Sequence, residues 1–329
     1  MREGPAFYGE RPAFLRKLAL TPAMQRLADV GMNCGCEYTR FKRFRRLRPY
    51  SRLEHSLGAA RIVWHFTGDR IQSAATLFHD IAAPTFSHSV DFLRGDALRQ
   101  EATESGTAEL IRSSEEIGQI LRRLEIPVEQ VLDYHRYPIA DNDSPRLSAD
   151  RLEYTLGNLY KFRLRSTTVL RLYYQQLCIG QNEDGEQELS FRDTASAIDF
   201  GFDALHCSKI YVSDEDRYAM QILSELLGRA LERGTLTERD LMGTEPELIR
   251  KLLADPVGAG EWKRFRSLKQ MLREEERAPA ELRRVIPAKK RCIDPFVMDK
   301  GRLSAICAPF AEALEEFKEQ DQSQWLCAE

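Results

Sequence analysis

Apolar residues recur every three or four positions along most of the chain, which is the spacing of one face of an α-helix. The clearest stretch is 103–124, where Ile111, Ile117, Leu121 and Leu124 fall on one face. Thr21 followed by Pro22 is typical of a helix start. The same spacing predicts further helices at 69–82, 214–231, 244–253, 262–275 and 303–317. These patterns predict an all-α fold.

Strand patterns are short and few. Residues 187–191 alternate in a way that predicts at most a small β-hairpin. The polar, glycine-containing stretch 180–186 just before them predicts a long loop or a boundary. We therefore expect a helical core in residues 1–180 and a mainly helical C-terminal extension in residues 181–329.

Composition and charge narrow the class of protein. The 329 residues are 43% hydrophobic and 30% charged, the balance of a packed globular protein. A net charge of -3 gives no overall basic field, so nucleic-acid binding is possible but not favoured. The basic run at 41–48 is either a solvated loop or helix face, or a rim that attracts phosphates. With no long apolar span and no signal-peptide pattern, we expect a cytoplasmic protein that does not bind membranes.

The seven cysteines are scattered along the chain, and their number is odd. A chain of this length can be stabilised by its apolar core without disulfide bonds. Cys34 and Cys36 have no second Cys/His pair at zinc-finger spacing after them. The sequence therefore predicts free thiols.

Histidines and acids form one suggestive group. His79 and Asp80 are adjacent near the end of the buried helix predicted at 69–82, and further ligands for a shared ion have to come from other elements. The candidates are His55 and Asp150. Two imidazoles and two carboxylates suit Mn, Fe, Zn, Co or Ni as divalent ions, rather than Ca²⁺. This set predicts a transition-metal site, with Mg²⁺ possible alongside a phosphorylated substrate.

Four motifs in order along the chain give these residues a context. Together they resemble the HD superfamily of metal-dependent phosphohydrolases, and in particular its deoxynucleoside triphosphate triphosphohydrolase branch, which contains the bacterial dGTPases and the sterile-alpha-motif HD enzymes. The likeness runs from about residue 21 to residue 160. The motifs are Arg52-x-x-His55-Ser56-Leu57-Gly58, Leu77-Phe78-His79-Asp80-Ile81, Pro84-x-Phe86-Ser87-His88-x-x-Asp91 and Asp150-Arg151-Leu152-Glu153-Tyr154.

The resemblance implies a role for each matching residue. The metal ligands are His55, His79, Asp80 and Asp150. The residues that contact substrate phosphates are Arg52, Arg151 and Tyr154, two guanidinium forks and a hydroxyl donor. Asn158 lies where the branch carries an acid that holds the sugar. His88 and Asp91 match a polar pair beside the scissile phosphate, and as the catalytic residues they would move protons to the water or the leaving group. Glu101 and Glu104 are reserve candidates for proton transfer.

Two departures from the branch leave the substrate open. Ala83 and Gln100 stand where the triphosphohydrolases carry histidines. The resemblance implies hydrolysis of a nucleotide, either a dNTP or a nucleoside phosphate, by metal-activated water. The alternatives are a phosphodiesterase acting on a cyclic nucleotide or an oligonucleotide, and a noncatalytic nucleotide-binding protein. A homo-oligomer is expected, as is common in this family.

Overall fold

A computed structural model of the chain describes residues 6–98, 106–272 and 283–329. It is 57% helical, which confirms the predicted mainly helical fold class. No helix in these ranges combines the length and apolar character needed to cross a membrane. The α-helices of the described ranges are α1 Ala13–Ala19, α2 Pro22–Gln25, α3 Arg52–Thr67, α4 Arg70–Phe78, α5 His88–Leu93, α6 Thr107–Ser113, α7 Glu115–Arg123, α8 Ala149–Lys161, α9 Thr167–Gln175, α10 Thr194–Tyr211, α11 Asp214–Glu232, α12 Glu238–Leu241, α13 Glu245–Ala254, α14 Pro256–Ser267, α15 Leu303–Ile306 and α16 Ala308–Glu319.

Short strands form two small sheets. They are β1 Leu177–Gln181, β2 Gln187–Phe191, β3 Met271–Leu272, β4 Arg284–Val285, β5 Phe296–Val297, β6 Gly301–Arg302 and β7 Trp325–Ala328. One sheet has the order β1-β2-β5-β6 and the other the order β3-β7-β4. The predicted hairpin is the antiparallel pair β1 and β2, with Leu177 opposite Phe191. The polar stretch 180–186 supplies its turn, and the division of the chain at residue 180 stays a prediction.

Two of the predicted helices are each interrupted by a local stop. In the stretch 103–124, Ser114 leaves the helical conformation at ψ 108° and its side chain accepts a hydrogen bond from the Ile117 amide, so that α7 starts anew. In the stretch 303–317, Cys307 is extended just before the proline-containing first turn of α16. The helix predicted at 262–275 is wrong in its second half, because α14 ends at Ser267 and Met271–Leu272 pair with β7 as strand β3. Residues 103–105 and 273–275 lie outside the described residues.

Helix α3 is the centre of the fold. The Ser51 side chain caps its start by accepting a hydrogen bond from the Glu54 amide, and Gly68 ends it at φ 64°. Nearly every residue from Arg52 to Val63 is buried, polar ones included. A Cβ at Gly58 would lie 2.4 Å from Oε1 of Glu153, so this glycine lets α8 approach closely. A helix buried on all sides can present polar groups only to other protein groups or to a bound ligand.

The apolar interior consists of two clusters. The larger includes side chains of α3, α4, α8, α10 and α16. The smaller includes side chains of α5, α11 and α14. The His-Asp motif at the end of α4 and the His88 motif of α5 therefore come from opposite sides of the junction between the clusters, which is where a cleft can form.

A pair of carboxyl groups, Glu37 and Glu245, lies beside Gly31, which pairs with Ser51 just before α3. Glu245, at the start of α13, accepts hydrogen bonds from the Gly31 amide at 2.7 Å and from the Tyr38 hydroxyl at 2.7 Å. Among the described residues, Oε2 of Glu37 is buried without a hydrogen-bond partner. Burial first, and then the charge of Glu245, raise the pKa of Glu37 to about 8. The pair therefore keeps a proton at neutral pH.

Glu37→Gln should make the protein less sensitive to alkaline pH. Because the folded-state pKa of Glu37 is raised, its stabilising contribution is complete below the ordinary carboxyl pKa and is lost as pH rises through about 8. A neutral glutamine escapes this loss. We expect equal melting temperatures for variant and wild type at pH 5 and a higher one for the variant at pH 9, measured by scanning calorimetry. Glu312→Gln, at an exposed position, is the matched control. The same difference in melting temperature between Glu37→Gln and the wild type at pH 5 and pH 9 would contradict the expectation.

Candidate metal centre

Three helix termini bring the predicted ligands together. His55 lies in the first turn of α3, and Asp150 lies in the first turn of α8 behind its N-cap Ser148. His79 is the C-cap of α4, and Asp80 follows it. Asp69 fixes the start of α4 by accepting hydrogen bonds from two of its first amides. The first and last turns of helices thus deliver all four side chains.

Both carboxylates approach the pair of imidazole nitrogens. Nε2 of His55 lies 3.1 Å from Nε2 of His79 and 3.0 Å from Oδ1 of Asp150. Oδ1 of Asp150 lies 3.4 Å from Nε2 of His79. Oδ2 of Asp80 lies 3.9 Å from the His55 nitrogen and 3.5 Å from the His79 nitrogen. Atoms about 2.1 Å from one ion lie about 3.0 Å apart at right angles and about 3.4 Å apart in a tetrahedron. Each carboxylate, together with the two imidazoles, therefore has the spacing that a divalent ion needs.

Hydrogen bonds at Nδ1, the ring nitrogen that does not face the other ligands, orient both imidazoles. Nδ1 of His79 lies 2.7 Å from the Thr76 carbonyl, and Nδ1 of His55 lies 2.6 Å from Oε2 of Glu153. Both acceptors favour a proton on Nδ1 and leave Nε2 free to coordinate. Glu153 is almost fully buried and also accepts a hydrogen bond from the Tyr50 hydroxyl. The sequence motif contains Glu153, but sequence reasoning did not assign it this role.

The charges of the cluster compensate one another. Burial lowers the pKa of His55, but hydrogen bonds and charges from Asp150 and Glu153 outweigh it and raise that pKa to about 10. Burial raises the pKa of Asp80, yet the Arg52 guanidinium and the two imidazoles hold it well below its usual range. A metal ion bound here would therefore displace the proton that these surroundings favour on His55.

Arg52 contacts a predicted ligand. Its Nη1 donates to Oδ2 of Asp80 at 2.8 Å, and its Nε donates to the Ser87 hydroxyl at 3.0 Å. Glu54, the neighbouring acid, pairs instead with Lys161 at 2.7 Å. Arg52 therefore orients Asp80 and lies beside the centre, and its contact with substrate phosphate stays a prediction.

The predicted proton-transfer pair forms a hydrogen bond. Nδ1 of His88 lies 2.8 Å from Oδ2 of Asp91. Asp91 is fully buried, whereas the His88 side chain is 21% exposed. Burial above all lowers the pKa of His88 to about 4, so its imidazole is neutral at physiological pH. Phe86 and Ser87, at φ 59° and 46°, form a strained turn that sets the start of α5. His88 can thus accept a proton while Asp91 orients its ring.

The other predicted substrate residues have protein partners. Arg151 donates to Oδ1 of Asp141 at 3.0 Å and to Oδ1 of Asn142 at 2.8 Å. Asn158 donates to the Tyr211 hydroxyl at 2.8 Å, and the Tyr154 ring meets the Tyr211 ring edge-on. Their roles toward phosphates and a sugar stay predictions.

The remaining residues that the sequence singled out have varied surroundings. Ala83 is fully buried in the larger apolar cluster. Gln100, Glu101 and Glu104 lie outside the described residues. All seven cysteines are free thiols, as expected. In the basic run, Phe41 and Phe44 are buried, while its exposed cations are Lys42, Arg43, Arg45 and Arg46.

Comparison with known proteins gives partial relatives and a shared fold. No family model matches the chain. It is 25% identical over 207 residues to the uncharacterized protein YdhJ of Bacillus subtilis (strain 168), covering 62% of this chain and 61% of that protein. It is 30% identical over 112 residues to a metal-dependent phosphohydrolase of Cordyceps militaris, covering 34% of this chain and 32% of that protein. The alignments thus span about three fifths and one third of these relatives' lengths.

A solved structure resembles the whole chain. The crystal structure of a phosphohydrolase from Bacteroides thetaiotaomicron superposes with a TM-score of 0.67, covering 99% of this chain and 98% of that one. Sequence identity between the two is 14%, so the match establishes a common fold.

Proposed function

We propose that this protein is an HD-type metal-dependent phosphohydrolase that acts on a nucleotide, either a dNTP or a nucleoside phosphate. The observation that carries the proposal is the convergence of His55, His79, Asp80 and Asp150, with five interatomic distances between 3.0 and 3.9 Å. The names of one sequence relative and of one structural relative point the same way.

The donor set decides which ion the site suits. Two imidazole nitrogens and two carboxylate oxygens favour Mn, Fe, Zn, Co or Ni as divalent ions. When bound there, such an ion would polarise a phosphoryl oxygen and lower the pKa of water. The four side chains would hold it, while Glu153 and Thr76 fix the orientation of the rings.

The chain's own groups can supply the proton transfers. His88 is hydrogen-bonded to Asp91 and partly open to solvent, and its neutral imidazole can accept a proton, although a pKa of about 4 makes it a weak base. Arg52 keeps the Asp80 carboxylate ionised and in place. We propose that Tyr154 and Asn158 line the side of the cleft toward α10, where base and sugar would bind.

The exposed basic run favours a second substrate class. Four exposed cations surround two buried phenylalanines that anchor the loop, so the charge faces solvent in a fixed place. Such a surface attracts the phosphates of a longer chain. An oligonucleotide or cyclic diester is therefore the alternative substrate.

A hydrolysis panel tests the proposal. The purified protein is first analysed for bound metal and then supplied with Mn²⁺ and nucleoside mono-, di- and triphosphates, cyclic nucleotides and short oligonucleotides. We expect release of phosphate or triphosphate that chelation abolishes. Opening of a diester without free phosphate would favour the alternative. Absence of bound metal together with no metal uptake would contradict both, and nucleotide binding without product would indicate a noncatalytic protein.

A further inference from the structure

Residues 286–294, which we call the strap, cross from α11 to the loop before α8 without regular secondary structure. The first part of the strap is fixed at two points. The buried Arg217 of α11 donates to the Ile286 carbonyl. The Ala288 amide donates to Oε1 of Gln322 at 2.8 Å. The strap therefore starts from a defined position beside the smaller apolar cluster.

The second part of the strap is fixed on both sides of Arg291. Nζ of Lys290 donates to the Lys318 and Gln320 carbonyls at 2.6 and 2.5 Å. The Cys292 carbonyl accepts from the Ser144 hydroxyl at 3.1 Å. The Asp294 amide donates to the Pro145 carbonyl at 2.8 Å. With both neighbours held, the backbone of Arg291 has little freedom.

Arg291 lies beside the loop that leads into α8, the helix of Asp150 and Tyr154, because Cys292 and Asp294 are hydrogen-bonded to Ser144 and Pro145 of that loop. After burial, which has the largest effect, its positive charge is among the influences that lower the pKa of His88 on α5. It also opposes the rise in the pKa of Tyr154 on α8 that burial causes. A charge felt by groups on both α5 and α8 lies close to both helices. The hydrogen bonds of the strap thus bring Arg291 to the α8 side of the metal centre, and both electrostatic influences agree with that position.

Arg291 is a partly buried cation without a partner at ion-pair distance in the described part of the chain. In the described ranges it forms no ion pair and no side-chain hydrogen bond, although it is only partly exposed. Asp216 also feels its charge, but the Asp216 carboxyl receives its hydrogen bond from Cys36. A half-buried guanidinium with free donors costs solvation energy that an anionic partner restores.

We propose that Arg291 is a substrate-binding residue that holds an anionic group of the substrate other than the phosphoryl group at the metal. This inference rests on the proposed function of the site. It assigns to the C-terminal extension a direct part in substrate selection. A substrate with a second phosphate or equivalent anion gains from this contact, and a substrate with one phosphate does not.

Binding of inorganic anions tests the role of Arg291 without turnover. Calorimetry on Mn²⁺-loaded, desalted protein compares pyrophosphate with phosphate. For Arg291→Gln we expect pyrophosphate to bind about tenfold more weakly, the equivalent of one charge-assisted hydrogen bond, and phosphate to change less than about twofold. Arg291→Lys keeps the charge without the planar fork, so an intermediate affinity is expected. Metal content and melting temperature should match the wild type.

A matched control removes a charge elsewhere in the extension. Arg266→Gln changes an exposed arginine of α14 and should leave both anions unaffected. Pyrophosphate affinity within about twofold of the wild type in Arg291→Gln, an equal loss for phosphate, or no pyrophosphate binding by the wild type would each overturn the inference. If Arg291→Gln binds pyrophosphate as the wild type does and still hydrolyses nucleotides, the proposed function stands and only the role of Arg291 is contradicted. Selective loss of pyrophosphate binding in a protein that hydrolyses nothing supports Arg291 and contradicts the proposed function.

Discussion

His79→Ala is expected to lose bound divalent metal and to reduce hydrolysis by about 10³-fold, the equivalent of the several kcal/mol that a Lewis-acid ion contributes. The imidazole supplies one of the four converging atoms, and its Nε2 lies 3.1 Å from that of His55 and 3.4 Å from Oδ1 of Asp150. Alanine supplies no ligand atom and leaves the two carboxylates with less compensating positive charge. Elemental analysis of the purified variant and a product assay with added Mn²⁺ measure both effects.

A surface histidine provides the control for this experiment. His206 is exposed on α10, so His206→Ala should keep the metal content and activity of the wild type. Melting curves of both variants show whether the fold is retained. A folded His79→Ala protein that binds metal with wild-type affinity would mean that the ion, if any, is held elsewhere.

Local sequence patterns predicted the helices and the small hairpin because each depends on short-range spacing and capping. The motif order also selected the residues that converge, since His55, His79 and Asp80 lie at helix termini whose positions the motifs define. The interruptions at Ser114 and Cys307 were missed because one side-chain cap or one extended residue outweighs a continuing apolar pattern.

Contacts between distant segments could not be predicted in this way. Whether Arg151 meets the cleft or the loop at Asp141 depends on the path of that loop, which no spacing within α8 reveals. Arg291 and Tyr154 are far apart in the sequence, and Arg291 lies on a segment whose apolar residues follow neither a helical nor a strand pattern. Its position follows only from the hydrogen bonds that fix the strap.

Glu153 is another long-range case, and it gives the second large expected effect. Its carboxylate reaches Nδ1 of His55 only because Gly58 lets α3 and α8 pack closely. Glu153→Gln keeps the size and an acceptor oxygen but removes the charge that makes the imidazole a better ligand. Loss of such an outer partner typically lowers metal affinity about 10- to 100-fold, and we expect a decrease in that range. Competition with a chelator of known affinity measures it.

Two further variants separate ligand orientation from folding. Glu115→Gln makes the same chemical change at an exposed position of α7 and should leave metal affinity unchanged. Tyr50→Phe removes the hydroxyl that donates to Glu153 but keeps the carboxylate, so a smaller decrease is expected. Wild-type affinity in a folded Glu153→Gln protein would show that the hydrogen bond to His55 positions the helices rather than the metal. A graded decrease from Tyr50→Phe to Glu153→Gln would instead show that the buried carboxylate acts on the ion through the imidazole.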